Sequence, residues 1–191
     1  MAAVRDILYN VRITSTVGDM DVDVQGIAFD SRKAAPGFVF VAVKGTQVDG
    51  HAFIDKAIAQ GATVVICNNL PESTNNSVTY VTVKDSSQAL GVICGNFYGN
   101  PSKKLKLVGV TGTNGKTTVA TLLFQLFTAM GRKCGLLSTV ENRIVDNVLP
   151  ATHTIPDPIQ INILLNEMLE AGCTLAFMEV SSHACAQGRI E

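Results

Sequence analysis

The sequence predicts an α/β protein built as two units in tandem: a small mixed α/β N-terminal domain over residues 1–100 and a parallel-sheet domain over residues 101–191. Three observations predict this. Short runs rich in Val, Ile and Phe alternate with longer stretches of helical periodicity, the pattern of strands joined by helical crossovers. The segment "YGNPSKKLK", residues 98–106, interrupts the apolar pattern with Gly, Asn, Pro, Ser and three lysines and reads as an interdomain linker. Finally, "GVTGTNGKTT", residues 109–118, places a glycine-rich loop between an apolar run and a helical stretch.

In order along the chain, "GIAFDSR" (26–32) and "FVFVAV" (38–43) read as strands, and "HAFIDKAIAQ" (51–60) as a helix stopped by Gly61. "TVVIC" (63–67) and "VTYVTV" (78–83) read as strands, and "DSSQALGVICGNFY" (85–98) as a helix capped by Asp85. Beyond the linker come the strand "LKLVGVT" (105–111), the glycine loop, a helix over 116–130 closed by Gly131, and the strand "CGLLST" (134–139). A less ordered stretch is expected up to Asp157. There Asp157 as N-cap and Pro158 at the first helical position open "PIQINILLNEMLEA", which ends at Gly172. The strand "TLAFMEV" (174–180) completes the series. Parallel strands joined this way bind ligands at their carboxyl ends.

Composition narrows the function classes. At 191 residues and 47% hydrophobic the chain can bury a sizeable core. Fifteen basic against sixteen acidic residues leave a net charge of −1 with no run of like charge, which argues against a nucleic-acid or anionic-membrane partner. Cys67, Cys94, Cys134, Cys173 and Cys185 are widely spaced and never form C-x-x-C, so buried thiols are expected rather than disulfides or a zinc site. The start "MAAVRDILYN" lacks the apolar core of a signal peptide, and no stretch approaches the ~20 apolar residues of a membrane span, so a cytoplasmic location is expected; a monomer is expected as well.

The glycine loop carries the chemistry. Gly112 and Gly115 let the backbone take positive φ and approach a ligand, and the helix that follows aims its free N–H groups and positive end at an anion. The strict pattern G-x-x-x-x-G-K-[ST] is missed by one position, because Val110 stands where its first glycine belongs. The cradle is therefore expected over Gly112, Thr113, Asn114, Gly115, Lys116, Thr117 and Thr118, with Lys116 reaching the terminal phosphates and the Thr117 hydroxyl a Mg²⁺ ion. Glu179 ends an apolar strand, where a lone acid is costly unless solvated or paired with a cation. Mg²⁺ is the cation that sits between carboxylates and phosphates, and His183 four residues on is a candidate second ligand.

The stretches "DSRKAAPGFVFVAVKGTQVDGHAFIDKAIAQGA", "GVTGTNGKTT", "THTIPDP" and "MEVSSHACAQGRI" together resemble the Mur ligases of peptidoglycan synthesis, most closely their tripeptide-synthetase branch. The resemblance spans essentially the whole chain. It implies a P-loop-type ATP-binding domain after the linker and an ATP-dependent reaction with Lys116, Glu179 and His183 in the catalytic centre. In that reaction the D-glutamyl carboxylate of UDP-MurNAc-L-Ala-D-Glu is activated as an acyl phosphate and joined to a diamino acid, diaminopimelate or lysine. On matching positions it implies that Phe29, Ser31, Thr46, Gln47 and Val48 contact the nucleotide-sugar. It likewise implies that His153, Thr154, Ile155, Ser181, Gln187 and Arg189 contact the muramoyl-peptide. Ile155 stands where the family usually has a second threonine.

Only three parallel strands are read after the linker, so a truncated second domain is expected and the chain alone is expected not to turn over. Two other readings stay open: a non-catalytic UDP-sugar or ATP-binding module, and the D-Ala-D-Ala-adding member of the same family. A GTPase is disfavoured by the lack of an N-K-x-D motif.

Overall fold

A computed structural model of the chain describes residues 2–45, 48–151 and 156–181. It forms two compact units that divide in sequence between Phe97 and Tyr98. The division falls at the start of the segment read as a linker. That segment is not featureless, because Pro101 at a first helical position opens a one-turn helix.

In the first unit, β1 (Ala2–Ala3), α1 (Val4–Ile7), β2 (Ile13–Val17) and β3 (Asp23–Val24) precede the first strand expected from the sequence. Then come β4 (Gly26–Ala28), a 3-10 turn at Ser31–Lys33, β5 (Phe38–Val41) and a second 3-10 turn at Gly50–Phe53. The unit closes with α2 (Ile54–Ala59), β6 (Val64–Cys67), β7 (Thr79–Val83) and α3 (Ser86–Phe97). The helix expected over 51–60 is thus α-helical only from Ile54. Asp49 accepts the His51 N–H at 3.0 Å and starts the chain in the tighter 3-10 turn.

The main sheet runs β2-β7-β6-β5-β4, with β4 to β7 parallel and β2 antiparallel at one edge. Every residue of β6 and β7 is buried, as expected of parallel strands covered on both faces. Phe40, Val65, Cys67 and Tyr80 pack against Ile54 and Ala57 of α2. Helix α3 buries Ala89, Leu90, Ile93 and Cys94, and its cap is the expected one: Asp85 accepts the N–H groups of Ser87 and Gln88 at 2.9 and 3.1 Å.

The second unit contains α4 (Pro101–Lys104), β8 (Lys106–Val110), α5 (Lys116–Ala129), β9 (Cys134–Leu137), β10 (Glu141–Ile144), β11 (Asn147–Pro150), α6 (Pro158–Glu170) and β12 (Leu175–Glu179). Its sheet runs β11-β10-β9-β12-β8. The three expected strands are parallel neighbours, β12 lying between β9 and β8. Within the stretch expected to be less ordered, Glu141–Ile144 and Asn147–Pro150 form the hairpin β10–β11, which adds two antiparallel strands and makes the sheet mixed. Its turn carries Val145 at φ 54, a conformation that a β-branched residue rarely takes, so no Asn-Gly type signal marks the hairpin.

Two layers sandwich this sheet. Ile161, Leu165 and Met168 of α6 pack on Leu137, Ala176, Met178 and Val180, while Ala120 and Phe124 of α5 pack on Leu136 and Phe177. Cys67, Cys94, Cys134 and Cys173 are buried, and Cys185 lies outside the described residues. Among the described residues no helix is long and apolar enough to cross a membrane.

Candidate functional site

Strand β8 ends at Val110 and releases the glycine loop, which is exposed from Thr111 to Gly115. Gly112 and Gly115 take φ 147 and 78, values at which a side chain is strained. At Gly115 a Cβ would meet nothing within 4 Å, so glycine is required there for its conformation rather than for space. Gly115 is also the N-cap of α5 and offers no side-chain acceptor. The first helical bond is Val119 N–H to the Gly115 carbonyl, 2.9 Å, so the N–H groups of Lys116, Thr117 and Thr118 are left at an uncapped, positive helix end. Lys116 Nζ donates to the carbonyl of Gly112 at 2.8 Å and more weakly to that of Thr113 at 3.4 Å, which holds its ammonium over the loop. Thr113 and Asn114 form the exposed tip between the two glycines.

Register places Glu179 beside this loop. β12 pairs with β8 so that Glu179 lies opposite Val110, and Val180 N–H donates to the Val110 carbonyl at 2.8 Å. Side chains alternate along β12: Ala176 and Met178 face α6 and Phe177 faces α5, so Glu179 falls on the α5 face, the side of the helix that begins at Lys116.

Glu179 is 3% exposed. The hydrogen bonds to its carboxylate are long and both come from Thr139, the backbone N–H at 3.4 Å and Oγ1 at 3.3 Å. No Lys or Arg among the described residues pairs with it. A buried carboxylate so weakly satisfied retains acceptor capacity and suits a cation. Thr117, half-buried one residue into α5, supplies a hydroxyl at the helix start. Among the described residues there is no group of three or more His, Cys, Asp or Glu; the Glu179 carboxylate and the Thr117 hydroxyl are oxygen donors of the kind an Mg²⁺ ion takes.

Thr139 was not anticipated. It follows β9, and its turn is fixed by Ser138, whose Oγ donates to the Glu141 carbonyl at 2.7 Å and accepts the Val140 and Glu141 N–H groups at 3.3 and 3.1 Å. The available signal was a Ser-Thr pair at the carboxyl end of a strand.

In the first unit, β4 and β5 are parallel neighbours, so the segments leaving their carboxyl ends emerge at one end of the sheet. After β4 comes Phe29, half-buried, and Ser31, buried in the 3-10 turn. Between them Asp30 accepts the Arg32 N–H at 3.0 Å, and the Arg32 guanidinium bonds both carboxylate oxygens at 2.6 to 3.1 Å. That side-chain pairing holds the Asp30 carboxyl down to about 2. After β5 comes the segment with Val48, exposed, whose carbonyl accepts the Gly45 N–H at 3.0 Å.

Thr46, Gln47, His153, Thr154, Ile155, His183, Gln187 and Arg189 lie outside the described residues. Ser181 is half-buried, two residues beyond Glu179. In one unit Lys116 and Thr117 begin the helix that follows β8 and Glu179 ends the strand paired with β8; in the other, Phe29 and Ser31 follow β4, and Val48 lies in the segment after the neighbouring strand β5.

Residues 110–191 match the model of the Mur ligase middle domain, and residues 23–98 match that of the Mur ligase family catalytic domain. The chain is 57% identical over 188 residues to a UDP-N-acetylmuramoyl-L-alanyl-D-glutamate--2,6-diaminopimelate ligase of Cytophaga hutchinsonii, covering 98% of this chain and 39% of that protein. It is 52% identical over 184 residues to the protein of the same description from Phocaeicola vulgatus, covering 96% and 38%. A solved structure of a ligase of that description superposes with a TM-score of 0.79 at 28% identity, over 98% of this chain and 37% of that one. A MurF ligase from Thermotoga maritima in complex with ADP superposes with a TM-score of 0.52 at 25% identity, over 84% and 32%. The chain thus spans about two fifths of the length of the curated relatives it matches. With both units matched by models of one family, the chain belongs to the Mur ligases.

Proposed function

We propose that this chain is the nucleotide-sugar-binding and phosphate-binding part of an ATP-dependent ligase that adds diaminopimelate to UDP-MurNAc-L-Ala-D-Glu, acting as a monomer in the cytoplasm. Residues 1–100 would hold the UDP-sugar through Phe29, Ser31, Thr46, Gln47 and Val48, and residues 101–191 the ATP and the peptide end. The observation that carries this reading is the uncapped helix end at Lys116 next to the under-satisfied Glu179 carboxylate, at the carboxyl ends of neighbouring parallel strands. The relatives' described substrate favours diaminopimelate over lysine. The D-Ala-D-Ala-adding alternative is less favoured, because the MurF structures superpose less well, with TM-scores of 0.52 to 0.60 against 0.79.

In this reaction a D-glutamyl carboxylate oxygen attacks the γ-phosphorus of ATP, the bond to the β-phosphate oxygen breaks, and ADP leaves. The amine nitrogen then attacks the acyl carbon, phosphate departs with the bonding pair, and the nitrogen loses a proton to give the amide. Mg²⁺, when bound, would offset charge on the transferring phosphoryl group. The chain's own residues position and neutralise. Loop N–H groups and the helix end bind the phosphates, Lys116 exchanges its loop carbonyls for phosphate oxygens, and Glu179 with Thr117 would hold the metal ion. His183 would add a ligand there, and His153, Thr154, Ile155, Ser181, Gln187 and Arg189 would orient the peptide.

The test is calorimetric titration of the chain with UDP-MurNAc-L-Ala-D-Glu and, separately, with ATP and Mg²⁺. Binding of both supports the reading; binding of neither ligand overturns it. Mass spectrometry of product formed by the full-length protein with diaminopimelate or lysine then decides the amino acid.

A further inference from the structure

A chain of hydrogen bonds outside the residues assigned to ligands closes the base of the segment that follows β5. His51 Nδ1 bonds the Asp49 carboxylate at 2.6 Å, and His51 Nε2 accepts the Asn68 backbone N–H at 2.9 Å. An N–H donor at Nε2 fixes the tautomer, so Nδ1 carries the proton and donates it to Asp49. Asn68 in turn uses its side chain: Oδ1 accepts the Ser86 hydroxyl at 2.8 Å, and Nδ2 donates to the Lys84 carbonyl at 2.9 Å. Ser86 has a single hydroxyl proton, which is shared between Asn68 Oδ1 and the Ala42 carbonyl, 2.7 Å away and directly after β5.

The relay thus starts at Asp49, at the end of the segment, crosses the carboxyl ends of β6 and β7, and returns to Ala42, at its beginning. Between those points the two limbs are bonded to each other, Gly50 N–H to the Val43 carbonyl at 2.9 Å and Lys44 bridged to Asp49. Asp49 is held below the ordinary carboxylate value, chiefly by the His51 backbone N–H and then by its ring. Fixing the limbs of a binding segment before the ligand arrives lowers the ordering cost of binding.

We infer that His51 is a positioning residue for nucleotide-sugar binding: through Asn68 and Ser86 it fixes the two limbs, residues 42–45 and 48–50, of the segment assigned to the nucleotide-sugar. The inference rests on the nucleotide-sugar role proposed above for that segment. His51 itself need not touch the ligand.

The test compares His51→Ala, His51→Gln and Asn68→Ala in the whole chain, by hydrogen exchange at the Gly45 and Gly50 amides and by calorimetric affinity for UDP-MurNAc-L-Ala-D-Glu. His51→Ala should speed exchange at both amides and weaken the nucleotide-sugar by about tenfold, the order expected for one lost hydrogen bond amplified by loop disorder. Affinity for ATP should not change. His51→Gln offers an amide oxygen to the Asn68 N–H and should recover most of both effects. Asn68→Ala keeps its own N–H on His51 but severs the link to Ser86, and should resemble His51→Ala even if that variant folds poorly. Unchanged exchange in His51→Ala and Asn68→Ala would overturn the inference, as would faster exchange with unchanged affinity, which marks a purely structural latch. If the wild-type chain fails to bind the nucleotide-sugar, the role proposed for the segment falls and the positioning role with it; fast exchange in the variants would then report a latch alone. The wild-type titration therefore tells the two failures apart.

Discussion

Glu179 shows how a single side chain is made available by its neighbours. It is buried, and Thr139 hydrogen-bonds it only at 3.3 and 3.4 Å, so the carboxylate is oriented with acceptor capacity left over. Thr139→Val keeps the shape and removes the hydroxyl; it should raise the Mg²⁺ needed to half-saturate ATP binding by roughly threefold to tenfold, while Thr139→Ser should not. ATP titrations at several Mg²⁺ concentrations measure this, and identical Mg²⁺ dependence in all three proteins would remove Thr139 from the site. At Asp30 the prediction concerns pH. Its carboxyl sits at about 2 in the folded chain against an ordinary 3.8, with the Arg32 side chain as the main cause. A lowered carboxyl favours the folded state above the unfolded value, so this contribution is complete above 3.8 and is lost as pH falls through about 2. A carboxyl-carbon NMR titration should show that low midpoint, and Arg32→Ala should return it toward 3.8. Glu179 and Lys116 were legible as site residues because each stands out locally, an acid closing an apolar strand and a lysine after Gly-Thr-Asn-Gly. Thr139 was not legible, because its importance arises from a contact between two strands.

Helix α6 was readable nearly to the residue. Asp157 accepts the Gln160 N–H at 2.9 Å, Pro158 takes the first helical position, and Gly172 follows the end at φ 80. The hairpin β10–β11 was not, since its turn places Val145 where Asn or Gly would have announced it. The 3-10 turn at Gly50–Phe53 escaped for a related reason: a tight turn and the first turn of a helix share the same apolar spacing. Strand β9 shows how closely α6 approaches the sheet. A Cβ at Gly135 would overlap the thioether of Met168, which is fully buried. Gly135→Ala should therefore destabilise the second unit by about 1–3 kcal/mol through overpacking, read as a lower denaturant midpoint with unchanged slope. A midpoint equal to wild type would mean that Met168 finds another rotamer at no cost.

At the scale of the molecule, each unit buries its own core, one around Phe40, Val65 and Tyr80, the other around Leu136, Phe177 and Leu165. Lys116→Ala should accordingly weaken ATP by about 10- to 150-fold, the loss of a charged hydrogen bond, and leave affinity for UDP-MurNAc-L-Ala-D-Glu unchanged. Calorimetry of both ligands on one variant checks it; a parallel loss of nucleotide-sugar binding would show that the units do not bind separately. The sequence by itself determined the alternation of strands and helices, the helix caps, the glycine loop and the acid at a strand end, because each rests on residues within a few positions of one another. Only the tertiary structure decided that β12 inserts between β9 and β8, that Glu179 faces α5 opposite Val110, and that His51 reaches Asn68 and Ser86. Strand order and register are settled by which faces can be buried together, and that is a property of segments far apart in the chain.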